Sequence, residues 1–291
     1  MKIEKVLIVG LGLIGGSYAK GLTKKNIKVY AIDKNENTIK YAKENKIIID
    51  GTTKTEEDFI KNFDIIIFSL YPKAFLNFIK ENKNIIKKNC FILDVTGVKK
   101  SIVPKINDII ERKFEFIPTH PMAGREVCGV ENSDEKIFIN ANYIITPTEI
   151  NTKEGINLAK EIGKLLEFKN ISLLSLDEHD EMIAFLSQLT HCIAISLMTC
   201  KNSNHLAEYT GDSFRDLTRI ANINKDMWTE LFLLNKEHLI QEIDRFIKEI
   251  EDLKSLIESE NVDKIKQKMQ ISKERRIYFD KNNGGDHEFI I

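Results

Sequence analysis

Lys5-Val6-Leu7-Ile8-Val9-Gly10-Leu11-Gly12-Leu13-Ile14-Gly15-Gly16-Ser17 is the stretch that decides the fold. A short apolar run ends in glycines and gives way to the helical spacing of Tyr18, Ala19 and Leu22, so the order is strand, glycine turn, helix. Gly10 permits the tight turn, Gly12 lets backbone approach a pyrophosphate, and Gly15 lets the helix pack close to the strand. The first amides of that helix, around Leu13 and Ile14, then face the anion. Lys28 to Ile32 reads as a second strand and ends in Asp33. An acid there accepts hydrogen bonds from both hydroxyls of an adenosine ribose and repels a 2′-phosphate, which favours NAD over NADP. Lys34 weighs the other way, and a plain turn residue is the ordinary alternative for Asp33.

The alternation continues outward from this unit. Asp64 to Ser69 and Cys90 to Val95 are further apolar runs, the second followed by Thr96-Gly97-Val98-Lys99, with helical patterns between them. Strands that end in small polar residues fit a parallel sheet with a ligand over that edge. Ser69, Thr96 and Gly97 then line the nicotinamide side of the crevice; ordinary turn chemistry competes for Ser69. Phe114 to Pro118, Ala141 to Thr146 and Leu166 to Leu173 are expected to complete the sheet, with a helix from Thr152 to Leu165.

With 43 basic and 44 acidic residues among 291, the chain is close to neutral, and nothing in its charge points to a nucleic-acid partner. The length suits two domains. Cys90, Cys128, Cys192 and Cys200 show no metal-ligand spacing and read as buried thiols of a reducing cytosol, so neither a metal nor disulfides are expected. No leader pattern precedes the first strand, and no run is expected to reach the roughly 18 apolar residues of a membrane span. A cytoplasmic protein with no membrane association follows.

Pro118-Thr119-His120-Pro121-Met122-Ala123-Gly124-Arg125-Glu126 places a histidine in a non-helical loop well beyond the glycine turn. Such a histidine can handle the proton that accompanies hydride transfer to a nicotinamide, or it can be a structural group fixed between prolines. From Asp177 long amphipathic helices take over, which puts the boundary near residues 172 to 176. Asp177-Glu178-His179-Asp180 begins the first of them, its acids suiting the helix dipole. Phe185 to Met198 is nearly apolar all round and reads as buried on most sides. His191 sits there near Ser187, Gln188 and Thr190, either as a satisfied core histidine or as a pocket group. Arg215 and Arg219, four apart, share a helix face beside Asp216; they bind an acidic substrate or form a surface ion pair with Asp216. Trp228 walls the same pocket or simply packs. Lys236 to Arg276 is expected to supply stability or an intersubunit contact.

Taken together, these segments resemble the prephenate dehydrogenase family, which includes arogenate and cyclohexadienyl dehydrogenases. The resemblance rests on the glycine turn, His120-Pro121-Met122-Ala123-Gly124 with Glu126 and Gly129, Ser187 to His191, and Phe214-Arg215-Asp216-Leu217-Thr218-Arg219-Ile220-Ala221. It implies an α/β Rossmann-type domain with a mostly parallel sheet over residues 1–173, followed by an all-α helical dimerisation domain over 174–291. It also implies a homodimer that binds NAD and a small-molecule substrate, prephenate or arogenate. By matching motif, His120 resembles the histidine that hydrogen-bonds the substrate ring hydroxyl, and Arg219 the arginine that grips a substrate carboxylate. His191 resembles a second pocket histidine, and Glu126, Asp216 and Trp228 match positions around the substrate entrance.

The chain also departs from the family pattern. Gly97 stands where many members carry a serine near the catalytic histidine, and Thr96 is the neighbouring hydroxyl expected to substitute for it. The family's Ser-His-Leu-Pro-His appears as Ser187-Gln188-Leu189-Thr190-His191, Gly211-Asp212-Ser213 replaces a more glycine-rich turn, and Arg125 occupies a position where a small residue is common. The expected reaction is NAD-dependent oxidative decarboxylation of prephenate, with arogenate as the alternative substrate. A β-hydroxyacid or imine reductase is a further reading, opposed by the lack of a lysine in the helix from Asp177 before Lys201. A nicotinamide-binding sensor is the non-enzymatic reading.

Overall fold

In the computed structural model, residues 2–202 and 204–282 are described. Strand β1 (Lys5–Val9) lies at the centre of a six-stranded parallel sheet, and its alternation sorts side chains to two faces. Val6 and Ile8 join one core with Tyr18, Ala19 and Leu22 of α1 (Leu13–Lys24). Leu7 and Val9 join the other. The sheet continues as β2 (Lys28–Ile32), α2 (Glu36–Glu44), β3 (Asp50–Thr52), α3 (Glu57–Ile60), β4 (Ile65–Phe68), α4 (Pro72–Asn82), β5 (Phe91–Asp94), α5 (Val103–Ile110) and β6 (Glu115–Ile117). Phe75 and Ile79 of α4 and Ile106 and Ile110 of α5 close the second face. The strand order is β3-β2-β1-β4-β5-β6, with Val9 paired to Ile32 on one side and Phe68 on the other. The order therefore reverses direction at β1 and β4, where the carboxyl edge opens into a crevice.

The glycine turn is held by contact as well as by conformation. A Cβ on Gly15 would lie 1.9 Å from the Gly10 carbonyl oxygen, and one on Gly10 (φ 93°) would lie 2.5 Å from the Ser69 carbonyl oxygen. Neither position admits a side chain without moving backbone. Gly12, by contrast, faces open space.

The later strands do not all complete this sheet. Only β6 does; β7 (Thr119–Pro121), β8 (Asn142–Ile145) and β9 (Asn170–Leu173) form a separate three-stranded sheet, antiparallel between β7 and β8 and parallel between β8 and β9. The break falls at Pro118, which has no amide to continue the ladder and whose carbonyl accepts from Thr146 N at 3.0 Å. His120 is consequently a strand residue opposite Ile144, not a loop residue. Strand β9 is shorter than expected because α6 (Lys153–Leu165) is followed by a turn in which Glu167 has φ 61°.

Ser175 and Glu178 form a capping box that starts α7 (Leu176–Ile183). A π-helical turn at Ala184–Leu189 joins it to α8 (Thr190–Thr199). Within this continuous segment, Leu176–Thr199, an 18-residue window has mean hydropathy 1.5, so by length and composition alone the helix could cross a membrane, contrary to the expectation that no run qualifies. The expectation that Phe185 to Met198 is buried on most sides also fails: Leu189 and Ala194 are buried, but Phe185 is 50%, Leu186 57% and Met198 41% exposed. The thiols differ likewise, since only Cys90 is buried while Cys128 and Cys200 are exposed. The chain continues as α9 (Leu206–Tyr209), α10 (Asp212–Thr218), a 3₁₀ turn at Arg219–Ala221, α11 (Lys225–Leu234), α12 (Lys236–Glu258) and α13 (Val262–Asn282).

Two compact units result, the first ending at Leu239 and the second beginning at Ile240. The first runs past the expected division at 173/174, because side chains tie α7 to the sheet: Asp180 accepts from the amides of Lys99 at 2.9 Å and Lys100 at 2.8 Å. In the second unit Lys268 of α13 pairs with Glu249 and Asp252 of α12.

The glycine contacts give a stability test. Gly15→Ala is expected to lower the urea midpoint by the equivalent of about 3 kcal/mol, the cost of overpacking against backbone. Gly12→Ala, at φ −73° with open space around it, should unfold at the wild-type midpoint. A wild-type midpoint for Gly15→Ala would contradict the close approach.

Candidate active site

The glycine turn brings one group of expected residues to the carboxyl edge of the sheet. Gly12 caps α1 with no side-chain hydrogen bond and no acidic residue in the first helical turn, so the amides at Leu13 and Ile14 carry the positive end of the helix uncompensated. The Gly10 amide donates to Ile32 O at 2.8 Å, and the Ser69 amide to Val9 O at 2.8 Å. Asp33 accepts from Leu11 N at 2.7 Å through one oxygen and from Asn35 N at 2.9 Å through the other. Its carboxylate is thus fixed beside the turn, with lone pairs left for hydroxyl donors. Gly10, Gly12, Leu13, Ile14, Gly15, Asp33 and Ser69 share one edge. An anion at the helix start and a diol at Asp33 fit this arrangement.

The second group centres on His120. Its Nδ1 lies 2.9 Å from Nε2 of His179, and Nδ1 of His179 lies 2.7 Å from Oδ1 of Asp180. His179 and Asp180 are buried, whereas His120 keeps part of its surface open. A Cβ on Gly97 would stand 3.7 Å from His120 Nε2 and 3.6 Å from Leu231 Cδ2, which places the Nε2 side of the ring over the Gly97 backbone. Loss of hydration, then the neighbouring His179 and Lys99, hold the His120 pKa well below the ordinary histidine value of 6.5. Desolvation likewise lowers that of His179, against the pull of Asp180.

Thr96 does not reach His120. Its hydroxyl donates to Asp94 in a short hydrogen bond and receives Lys99 Nζ at 3.2 Å. The role expected for Thr96, a hydroxyl substituting at the Gly97 position, is thereby corrected: it completes a buried network around Asp94. Asp94 also accepts from Lys99 Nζ at 2.6 Å and from Thr119 N at 2.8 Å, and Lys99 Nζ donates to Thr119 O at 2.7 Å. With three acceptors the Lys99 ammonium is saturated. Burial lowers its pKa, against the raising effect of Asp94.

A third group forms where Arg219, at the start of the 3₁₀ turn, makes a short ion pair with Glu126 from the His120 segment. His191 stacks on Trp228 with ring centroids 3.6 Å apart and directs Nδ1 to Ser187 O at 2.8 Å. Desolvation lowers the His191 pKa, and both Glu126 and Arg219 act on it electrostatically, so these four residues share one neighbourhood. Arg215 instead pairs with Asp212 at 3.2 Å, and Asp216 is exposed on α10 outside the cluster. The expected pairing of either arginine with Asp216 is not formed, because α10 ends at Thr218 and Arg219 turns away.

Helix α11 links the second and third groups. Trp228 and Leu231 are three residues apart on it, the first against His191 and the second against the Gly97 space. Gln188 Nε2 donates to Leu231 O at 3.0 Å, and Asn235 Nδ2 donates to Gln188 Oε1 at 2.9 Å and to Asp180 O at 2.8 Å. Sequence reasoning missed His179, Asp180, Asp94 and Lys99. His179 stands 59 residues from its partner, and its local pattern announced only a helix start.

Comparison with known proteins agrees with this layout. Residues 18–171 match the family model of the prephenate dehydrogenase nucleotide-binding domain, and residues 175–271 that of the prephenate dehydrogenase dimerization domain. The chain is 27% identical over 287 residues to prephenate dehydrogenase of Bacillus subtilis, covering 94% of this chain and 75% of the relative. It is also 27% identical to cyclohexadienyl dehydrogenase of Zymomonas mobilis, covering 94% and 95%. The crystal structure of prephenate dehydrogenase from A. aeolicus in complex with hydroxyphenyl propionate and NAD+ superposes with a TM-score of 0.88 at 30% identity, covering 96% of this chain and 99% of that one.

The buried histidines set a pH dependence of stability. Because the folded pKa values of His120 and His179 lie below 6.5, the unfolded chain binds protons that the folded chain refuses, and stability falls as pH drops through 6.5. Urea unfolding is expected to show a lower midpoint at pH 5.5 than at pH 7.5. A flat profile across that window would be inconsistent with the two neutral rings.

Proposed function

Because the chain belongs to the prephenate dehydrogenase family, we propose that it catalyses the NAD-dependent oxidative decarboxylation of prephenate to 4-hydroxyphenylpyruvate. The observation that carries the reading is a neutral His120, open at Nε2 over Gly97, on the same segment as Glu126, whose carboxylate holds an arginine, Arg219. The uncapped start of α1 with the open face of Gly12 fits a pyrophosphate, and Asp33 fits the unphosphorylated ribose of NAD. Bound there, the dinucleotide supplies the hydride acceptor.

His120 Nε2 accepts the proton of the ring hydroxyl as hydride leaves the carbon that bears it. The carbonyl so formed is conjugated with the ring alkenes and takes up the electron pair released when the ring carboxylate departs as carbon dioxide. That pair aromatises the ring and puts negative charge back on the same oxygen, to which His120 returns its proton. Arg219 orients the anionic substrate and contributes binding more than bond-breaking. His191 and Trp228 form a flat wall beside it.

Glu126 favours a second reading. Its carboxylate beside Arg219 suits the ammonium of arogenate, whose decarboxylation yields tyrosine directly. A reductase relying on a lysine finds little support, since Leu176–Thr199 contains none and Lys99 is saturated. In this reading residues 1–173 serve dinucleotide binding and residues 174–291 serve substrate binding and dimerisation, a functional division within a compact unit that itself extends to Leu239. In a cytoplasmic homodimer the exposed Phe185 and Leu186 of the first unit and, separately, Ile240, Ile247, Ile250 and Ile257 at near-heptad spacing in the second each offer apolar side chains to a second copy.

Incubation with NAD and either prephenate or arogenate, followed by NADH absorbance, tests the reading. No NADH from either substrate would refute it. His120→Asn is expected to lower kcat by roughly 10²- to 10⁴-fold with KM little changed. Arg219→Ala should instead raise KM roughly 10- to 100-fold, the value of a charge-assisted contact to substrate.

A further inference from the structure

We propose that His179 and Asp180 are positioning residues that fix His120 as the tautomer able to act as a base, from the side of the ring opposite Gly97. The inference rests on the reading of His120 as the proton acceptor, and extends it to two residues that come from the helical segment. Asp180 accepts three hydrogen bonds: from the Lys99 and Lys100 amides, and from His179 Nδ1 at 2.7 Å. As a carboxylate it offers no proton, so His179 must carry one on Nδ1. A neutral His179 then presents a bare Nε2, and the only proton available for its 2.9 Å contact is on His120 Nδ1. His120 Nε2 is left as a lone pair over Gly97, and among the described residues the ring's hydrogen bond is made by Nδ1.

The arrangement supplies what the neighbouring hydroxyl does not. Thr96 is committed to Asp94 and Lys99, and residue 97 has no side chain. Orientation of the base therefore comes from its Nδ1 side. When His120 takes a proton on Nε2, its Nδ1–H remains donated to His179, whose own Nδ1–H remains donated to Asp180, so the new charge is met by two aligned hydrogen bonds ending on a carboxylate. No proton need leave either residue. Asp180 is in turn fixed from outside the site, through Asn235 on its carbonyl and the two amides on its carboxylate.

Two measurements test this on the full chain. In the protein saturated with NAD at pH 7.5, two-bond nitrogen–proton correlation of the histidine rings is expected to show His120 protonated at Nδ1 and bare at Nε2. The reverse tautomer would overturn the proposal, and this measurement needs neither a variant nor turnover. In kinetics, His179→Leu should lower kcat roughly 10²-fold while KM and NAD affinity stay within about twofold, the pattern of a lost tautomer rather than a lost fold. Placed in His120→Asn, the same substitution should cause no further loss, because its effect runs through the His120 ring. Undiminished kcat in a folded His179→Leu variant, or an equal loss in the His120→Asn background, would refute the relay. Should the wild-type protein oxidise neither prephenate nor arogenate, the proposed function fails by itself and the tautomer measurement still decides the relay.

Discussion

A buried ion pair, Asp94 with Lys99, is the contact on which the rest of the site depends. Both side chains are fully buried, and the desolvation they incur is offset only because almost every polar position is used. Asp94 closes the end of β5, holds the Thr96 turn and takes the first amide of β7; Lys99 clamps the Thr119 carbonyl from the other side. The residue after Thr119 is His120. A single charged pair therefore joins the parallel sheet to the smaller one at the point where the proposed base emerges. Lys99 also donates its backbone amide to the Asp180 carboxylate and so docks α7.

That geometry explains why the site draws on distant parts of the chain. The crevice at β1 and β4 provides amides and a fixed carboxylate but no base. The proposed base comes from a strand outside the main sheet, the histidine against it from α7, and the arginine proposed to bind substrate from a 3₁₀ turn beyond α10. Each piece is held by short polar contacts to a neighbour rather than by a shared element. The π-helical turn at Ala184–Leu189 belongs to this pattern, since Gln188 within it bonds both Leu231 and Asn235.

The helical segments carry a second message. Leu176–Thr199 is apolar enough to be mistaken for a membrane span, yet His179, Asp180 and Gln188 bind it to the sheet and to α11 by hydrogen bonds on one side. Its other side leaves large apolar side chains uncovered in the single chain. Hydropathy reports composition and not direction, so it could not separate these two faces.

The sequence by itself determined the central sheet and the cofactor edge. The glycine spacing, the acid ending β2 and the alternation of β1 act over a few neighbouring residues, and local sterics and periodicity are readable without a partner. It also singled out His120, Arg219, His191 and Trp228, since a histidine between prolines and an arginine-rich helix are locally unusual. Tertiary structure alone decided what these residues touch. Thr96 turned inward to Asp94, Arg219 chose Glu126 over Asp216, β7 left the main sheet at Pro118, and His120 found His179. Each outcome is a competition among hydrogen-bond partners far apart in the chain, settled by which groups burial leaves without water. No spacing rule records that competition, so the candidate residues were legible in the sequence and the network that joins them only in the structure.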